Sequence, residues 1–179
     1  MYLKCHAFRL FAITLSLAVS SAVSISKPKP EKALKVSLPE EFLDASGKAV
    51  SRETLSGKYV GLYFSASWCP PCRTFTPKLV EFRKANKDKF EVVLVGADNS
   101  EKAQANYMKK YMMLWPAMKH QSIAANLLVK KMGVSGIPYL VILAPDGSVV
   151  TKDGRGDVDS MGNKAFLKWT NIQAEKVDR

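Results

Sequence analysis

The feature that most restricts the fold is a strand-to-helix junction that carries two cysteines. Residues 59–65, YVGLYFS, are apolar and aromatic, which predicts a central strand buried on both faces. The segment SWCPPCR follows at 67–73, and from Pro70 onward apolar residues recur at helical spacing. Pro77 lies inside this helical pattern and is expected to kink it. The chain must therefore deliver both cysteines to the start of a helix, directly after a buried strand.

The patterns on either side of this junction predict an α/β domain. They are a hairpin around a turn at 44–48, a strand at 90–99, helices at 101–112 and 122–134, a strand–turn–strand at 137–150, and a final helix at 163–176. The early β–α–β order implies a parallel pair of strands, and the late hairpin adds antiparallel strands. The sequence therefore predicts a mixed central sheet flanked by helices, with an N-terminal β-hairpin extension.

Several side chains are assigned by these patterns alone. Three residues of the final helix are expected to face the core: Phe166, Leu167 and Trp169. Three methionines are expected to fill the core rather than bind metal: Met108, Met112 and Met113. Trp115 is expected to be an exposed loop aromatic, and His120 a solvent-facing loop histidine rather than a proton-transfer group. The tripeptide Arg155-Gly156-Asp157 matches an integrin-type motif, but it is expected to lie in a glycine-rich loop, and the match is interpreted as a coincidence.

The first 22 residues are organised like a secretory signal peptide. Lys4 and Arg9 precede an apolar run from Leu10 to about Val19, and small residues follow, so cleavage is expected near Ala22. The apolar run is short for a membrane span of about 20 residues. We therefore expect export, either to a periplasm or out of the cell.

The predicted cleavage defines the remaining organisation. Residues 23–35 are expected to form a flexible linker, and residues 36–179 the folded domain. The alternative is an uncleaved leader that keeps residues 10–25 as a membrane anchor. Without residues 1–22 the chain holds 25 basic and 16 acidic residues, a formal charge of +9. Its lysines are dispersed and build no recognised nucleic-acid motif, so they are interpreted as a solvated surface with no nucleic-acid partner.

The two cysteines at the junction are the chemical centre of the sequence. Cys5 lies in the predicted leader, so the mature chain would contain Cys69 and Cys72 alone. At a helix N-terminus their side chains share one face, at a Cα separation within the roughly 4.4–6.8 Å that a disulfide allows. Cys69 is expected at an exposed first position, where the helix end favours a thiolate, and Cys72 in a shielded one. Cys69 would then attack a partner disulfide, and Cys72 would release the partner.

Two alternatives to redox chemistry remain beside this interpretation. A zinc site needs four ligands, and the mature chain offers two cysteines and His120, so no metal is expected. A purely structural disulfide between Cys69 and Cys72 would close a very short loop and would therefore stabilise the fold little. Pro70 and Pro71 supply no N–H donors, so the Cys69 thiolate would be only moderately stabilised, which favours a reductant or balanced exchanger over a strong oxidant.

The chain resembles the thioredoxin superfamily, and within it the tryparedoxin and nucleoredoxin branch. The resemblance lies in LYFSASWCPPCRTFTPKL at 62–79, FEVVLVGADNS at 90–100 and MGVSGIPYLVIL at 132–143. It implies a thioredoxin fold in which Cys69 is the nucleophile and Cys72 the resolving cysteine.

The resemblance also implies a substrate-binding surface around the pair. Pro138 would be a cis-proline facing the disulfide, which leaves the Ile137 backbone free to pair with an extended substrate segment. Trp68 would flank the site, with Pro70 and Pro71 beside it.

Two departures from the resemblance limit what it implies. Many thioredoxins carry a buried acid where this chain has Tyr63, so proton transfer at Cys72 would need water or another group. Tryparedoxin-like proteins are usually intracellular, whereas the leader here is of the exported kind and brings it closer to exported bacterial proteins of cytochrome maturation.

The expected function is therefore an exported thiol:disulfide oxidoreductase, with a reductase favoured. It would be a monomer without cofactor that exchanges disulfides with protein partners and takes electrons from an unknown donor. The alternatives are a disulfide oxidase or isomerase, a non-catalytic module with a structural disulfide, and a membrane-anchored electron relay.

Overall fold

The structure is a computed structural model that describes residues 34–177. The predicted signal peptide, the anchor at 10–25 and residues 23–33 of the predicted linker lie outside the described residues. The strands are β1 (Glu41–Leu43), β2 (Ala49–Ser51), β3 (Tyr59–Ser65), β4 (Phe90–Gly96), β5 (Tyr139–Leu143) and β6 (Val149–Thr151). The α-helices are α1 (Pro70–Ala85), α2 (Glu101–Lys110), α3 (Ile123–Met132), α4 (Gly154–Met161) and α5 (Ala165–Val177).

A four-stranded mixed sheet in the order β4-β3-β5-β6 forms the centre of the domain. Strand β3 pairs in parallel with β4 and antiparallel with β5, and β5 pairs antiparallel with β6. Strands β1 and β2 form a separate antiparallel hairpin ahead of the sheet. The predicted mixed sheet with an N-terminal hairpin is thus confirmed.

Side chains from both faces of this sheet are buried, as the continuous apolar strands predict. On one face Tyr63 of β3 joins a cluster with α1 and α5 that includes Phe82 and Trp169. On the other face Leu62 and Phe64 join a cluster with α3 and the hairpin. Since neighbouring residues of a strand point to opposite faces, β3 contributes to both clusters. This strand ends at the junction that carries the cysteines.

Three exposure predictions for large apolar side chains were wrong. Leu167 is 63% exposed, whereas Phe166 and Trp169 are buried as predicted, because positions 166 and 169 lie on one side of α5 and 167 is turned away. Met112 is exposed, because it follows the end of α2 with a positive φ of 53°, while Met108 and Met113 are buried as predicted. These errors arise from the position of helix ends and from helix rotation.

Trp115 was the third error, because it is buried rather than exposed. The loop that contains it is held between the hairpin and the central sheet. Ala117, two residues on, forms bridges to both Leu43 of β1 and Leu94 of β4. The loop is therefore an interior connection, which its local sequence does not reveal.

The integrin-type tripeptide at 155–157 is helical and does not lie in a glycine-rich loop. It lies in α4, which the sequence analysis missed, and Asp153 caps this helix by accepting a bond from the Gly156 N–H at 3.3 Å. The Asp157 carboxylate is buried and accepts hydrogen bonds from Trp169 Nε1 at 2.8 Å and Lys168 Nζ at 2.5 Å. Asp157 therefore joins α4 to α5 and is not displayed to solvent.

The last residues of the predicted linker contact the domain. Lys35 forms an antiparallel bridge with Ser148, and its Nζ lies 2.9 Å from a carboxylate oxygen of Asp146. The Val149 N–H donates to the Leu34 carbonyl at 2.9 Å. Residues 34 and 35 are thus paired with the β5–β6 turn. Among residues 34–177, no helix combines the length and apolar character needed to cross a bilayer.

Candidate redox site

The two cysteines lie at the junction between the end of β3 and the start of α1. Cys69 is the residue before the first turn of α1, with extended backbone angles of φ −88° and ψ 110°. Cys72 is the third residue of the helix, and the Cα atoms of the two cysteines are 5.2 Å apart. The two sulfurs form a disulfide. This separation lies inside the roughly 4.4–6.8 Å range that disulfides tolerate, so local helix geometry alone brings the pair together.

The prolines leave one backbone donor next to the Cys69 sulfur. Pro70 and Pro71 occupy the first two helical positions and have no N–H. The first available donor is the Cys72 N–H, which lies 3.3 Å from Cys69 Sγ. A thiolate at Cys69 would therefore be stabilised by this bond and by the positive end of α1.

Both cysteines are buried in the disulfide form. Cys69 is 3% exposed and Cys72 is 0% exposed, so the expectation of an exposed Cys69 was wrong. The cause is the segment before β5, where the Ile137–Pro138 peptide bond is cis, as the resemblance implied. The Ile137 carbonyl oxygen lies 3.6 Å from Cys69 Sγ. Cys69 is thus covered by a neighbouring backbone segment that a sequence pattern could not place.

The exposed surface around the disulfide is formed by the residues that separate and precede the cysteines. Trp68 is 54% exposed, and Pro70 and Pro71 are also exposed. The Trp68 ring is held by a hydrogen bond from its Nε1 to the Ala97 carbonyl at 3.0 Å. Ile137 is half-buried and Pro138 is buried. The structure thus brings together all the site residues predicted from the sequence.

The loop after β4 holds the cysteine segment in place, and sequence reasoning missed its role. Ser67 donates from its N–H and its hydroxyl to Asp98 Oδ1, at 2.9 and 2.5 Å. Arg73 donates to the Ser67 carbonyl at 3.3 Å. The usable signal was position: Asp98 follows β4, which is parallel to β3, so both strands end at the same edge of the sheet.

His120 belongs to this same cluster. It is half-buried, and its Nε2 lies 2.7 Å from the Asp98 carbonyl oxygen. The prediction of a solvent-facing loop histidine was therefore wrong. The bond ties the segment before α3 to the loop that also holds Ser67.

Tyr63 occupies the buried side of the Cys72 main chain. Its hydroxyl lies 3.3 Å from the Cys72 carbonyl oxygen and 2.9 Å from Thr76 Oγ1. Burial, with a smaller contribution from nearby Tyr107, raises the pKa of Tyr63 far above its ordinary value of 10. Tyr63 is thus a neutral hydrogen-bonding group and does not replace a carboxylate as a base.

The site has the composition of a thiol site rather than a metal site. Within residues 34–177, no group of three or more His, Cys, Asp or Glu side chains is placed to hold a metal ion. The geometry provides a pair of sulfurs whose disulfide can be broken and re-formed, next to the exposed surface of Trp68, Pro70 and Pro71.

Comparisons of the sequence and the structure with known proteins find thioredoxin-like relatives. A family model described as thioredoxin-like matches residues 57–149. A nucleoredoxin of Xenopus laevis is 47% identical over 109 residues, which is 59% of this chain and 26% of that protein. A tryparedoxin of Trypanosoma brucei brucei is 41% identical over 134 residues, which is 73% of this chain and 91% of that protein.

The solved structure of a thioredoxin from Wuchereria bancrofti is similar over 77% of this chain and 99% of its own. The TM-score is 0.65 at 37% sequence identity. This chain spans only about a quarter to a third of the length of the nucleoredoxins that it matches.

Proposed function

This chain belongs to the thioredoxin-like family and has the thioredoxin fold, and we propose that it is an exported thiol:disulfide oxidoreductase. It would exchange disulfides with protein partners through Cys69 and Cys72, acting more as a reductase than as an oxidase. One observation carries the proposal: a disulfide between the residue that precedes α1 and the third residue of that helix, beside a cis-proline.

The reaction follows from the positions of the two sulfurs. In the reduced protein the Cys69 thiolate attacks one sulfur of a partner disulfide, and the other sulfur leaves as a thiolate. Cys72 then attacks Cys69 Sγ, which re-forms the internal disulfide and releases the second partner sulfur. Two electrons pass from the protein dithiol to the partner, and the two protons of the dithiol end on the two released thiols. Oxidation of a partner is the same sequence in reverse.

A partner segment would dock beside the Ile137 backbone. The Ile137 carbonyl lies 3.6 Å from Cys69 Sγ, so an extended chain that paired with this backbone would run past the nucleophile. The exposed Trp68, Pro70 and Pro71 offer apolar contacts on the other side. Backbone pairing makes few demands on partner sequence, which fits an enzyme that acts on several protein disulfides.

The main alternative is a non-catalytic module with a structural disulfide. The low exposure of Cys69, 3%, favours this alternative. A trapping experiment separates the two. Cys72→Ser leaves Cys69 without its resolving partner, so mixed disulfides with protein partners should accumulate and dissolve on reduction. Cys69→Ser, which retains Cys72, is the matched control. If Cys72→Ser and the control capture equally little, the oxidoreductase proposal is refuted.

Direction of electron flow and export need separate tests. Equilibration of the purified protein with glutathione buffers of known ratio should leave it more easily oxidised than a disulfide-forming enzyme. Export rests on the leader-like residues 1–22, so protein recovered from the secreted or periplasmic fraction should begin near residue 23. A full-length protein recovered from membranes would point instead to an anchor at 10–25. Size-exclusion chromatography should show a monomer.

A further inference from the structure

Four buried hydroxyl groups lie in a row behind the cysteine pair. We call them the hydroxyl chain: Ser65, Tyr107, Thr76 and Tyr63. Ser65 Oγ lies 2.9 Å from Tyr107 OH, Tyr107 OH lies 2.7 Å from Thr76 Oγ1, and Tyr63 OH lies 2.9 Å from Thr76 Oγ1. All four residues are at most 2% exposed. They come from β3, α1 and α2, so the chain joins three elements of the domain.

The direction of the hydrogen bonds follows from the number of hydrogens. Each hydroxyl has one hydrogen to donate. Thr76 Oγ1 donates to the Cys72 carbonyl at 2.8 Å, so it must accept from Tyr107. The single hydrogen of Tyr63 goes either to Thr76 Oγ1 or to the same carbonyl. Tyr107 donates to Thr76 and therefore accepts from Ser65. Every hydrogen in the chain thus points toward the Cys72 carbonyl, and Tyr63 OH lies 3.3 Å from that same oxygen.

Both backbone groups of Cys72 are therefore engaged. Its carbonyl receives the end of the hydroxyl chain, and its N–H donates to Cys69 Sγ at 3.3 Å. The N–H contact involves the nucleophile itself and changes when Cys69 bonds to a partner. The contact with the hydroxyl chain does not involve either sulfur, so opening the disulfide does not by itself remove it.

We infer that the hydroxyl chain positions Cys72 for the resolving step, with Tyr107 and Thr76 as positioning residues. The inference rests on the proposed oxidoreductase function. In the mixed disulfide the bond between the two cysteines is open, and Cys72 must return its sulfur to the line of the Cys69–partner bond. A main chain held by buried hydroxyls keeps the Cys72 sulfur near that geometry, which raises the rate of the intramolecular attack.

The two steps can be timed separately with dithiobis(nitrobenzoate), whose released thiolate is coloured. The reduced protein is mixed with a limiting amount of this aromatic disulfide in a stopped-flow instrument. Attack by Cys69 forms a mixed disulfide and releases one coloured thiolate, and attack by Cys72 then releases the second. The first phase reports the proposed nucleophile, and the second phase reports the resolving cysteine.

Tyr107→Phe removes the hydroxyl and keeps the ring. We expect it to slow the second phase about tenfold, which corresponds to ~1.4 kcal/mol in the barrier, and to change the first phase less than twofold. Thr76→Val, which removes the donor to Cys72, should slow the second phase at least as much. Thr76→Ser keeps a hydroxyl and should restore most of the rate. Tyr111→Phe is the matched control, because its ring contacts Tyr107 but it is not part of the chain.

The pattern of rates decides between outcomes. If Tyr107→Phe and Thr76→Val lower the melting temperature but leave both phases unchanged, the hydroxyl chain is only structural and the inference is wrong. Equal slowing of both phases would also overturn it, because the effect would then lie at Cys69. If the wild-type protein released no coloured thiolate at all, the proposed function itself would fail.

Discussion

The buried carboxylate of Asp157 offers the sharpest test of what holds the C-terminal helices together. It accepts one hydrogen bond from the Trp169 indole, which is fully buried, and one from Lys168, whose side chain is 44% exposed. In Asp157→Ala the indole N–H would lose its acceptor in the core, at a cost of about 1–3 kcal/mol. Loss of an acid from the first turn of α4 adds ~0.3–1 kcal/mol.

Lys168 contributes little to this total. The Lys168 amine is partly exposed and can return to water when the carboxylate is removed, so loss of this ion pair adds only about 0–1 kcal/mol. The expected loss in the free energy of unfolding is therefore about 1–5 kcal/mol, centred on about 3 kcal/mol. For a domain of this size each kcal/mol lowers the melting temperature by roughly 2–4 °C.

The assay is a urea titration of the oxidised protein followed by far-UV circular dichroism. Asp157→Asn is the matched control, because its amide oxygen can still accept the indole hydrogen bond while the charge is lost. We expect the Asn variant to lose roughly 1 kcal/mol, from the ion pair and helix-end contributions. If Ala and Asn variants were equally stable, the indole bond would not be the dominant contribution and the reasoning would fail. Both variants should keep the first phase of the aromatic disulfide reaction, since the site lies elsewhere.

Two further predictions concern other charged groups. Glu91 accepts two hydrogen bonds from the Arg83 guanidinium, at 2.9 and 2.7 Å, and these bonds raise the pKa of Arg83. Glu91→Ala should therefore lower the free energy of unfolding by roughly 2–4 kcal/mol in a urea titration. A loss below about 0.5 kcal/mol would contradict a strong ion pair. The Ser148 hydroxyl, followed by Lys35, lowers the pKa of Asp146 to about 2, below its unfolded value of about 3.9. The stabilisation by the Asp146 carboxylate is thus present above pH 4 and is lost as the pH falls toward 2. Asp146→Asn should therefore be less stable than the wild type at pH 6 and equally stable near pH 2. A difference in the free energy of unfolding that stayed constant between pH 6 and pH 2 would refute the role of the carboxylate charge.

Much of the fold was predictable because its elements are specified locally. Strand β3 was placed at its observed bounds from seven consecutive apolar and aromatic residues, and the start of α1 from Pro70 and the helical spacing after it. Helix α4 was missed, because the sequence GRGDVDSM has two glycines and no apolar periodicity. It is stabilised by Asp157, whose partners lie 11 and 12 residues further along the chain.

The candidate site divides in the same way. Cys69 and Cys72 were found from their spacing, and the roles of Trp68, Ile137 and Pro138 from the resemblance. Asp98 was not found and His120 was assigned to solvent, since each acts through a bond to a residue at least 22 positions away. Trp115 was assigned to the surface because a short loop between helices is usually exposed, and only the bridges of Ala117 show that this loop is interior.

By itself the sequence determined that two sulfurs would meet, because only Pro70 and Pro71 separate the cysteines at the start of a helix and helix geometry is local. Only the tertiary structure decided that Cys69 would be covered by Ile137, 68 residues away, and that hydroxyls of Ser65 and Tyr107, 42 residues apart, would meet behind Cys72. Such contacts depend on how β3, α2 and the segment before β5 are brought together by burial of their apolar faces. That burial favours a close approach without specifying which polar groups meet, so the partners of Cys69 and Cys72 emerge only in the folded domain.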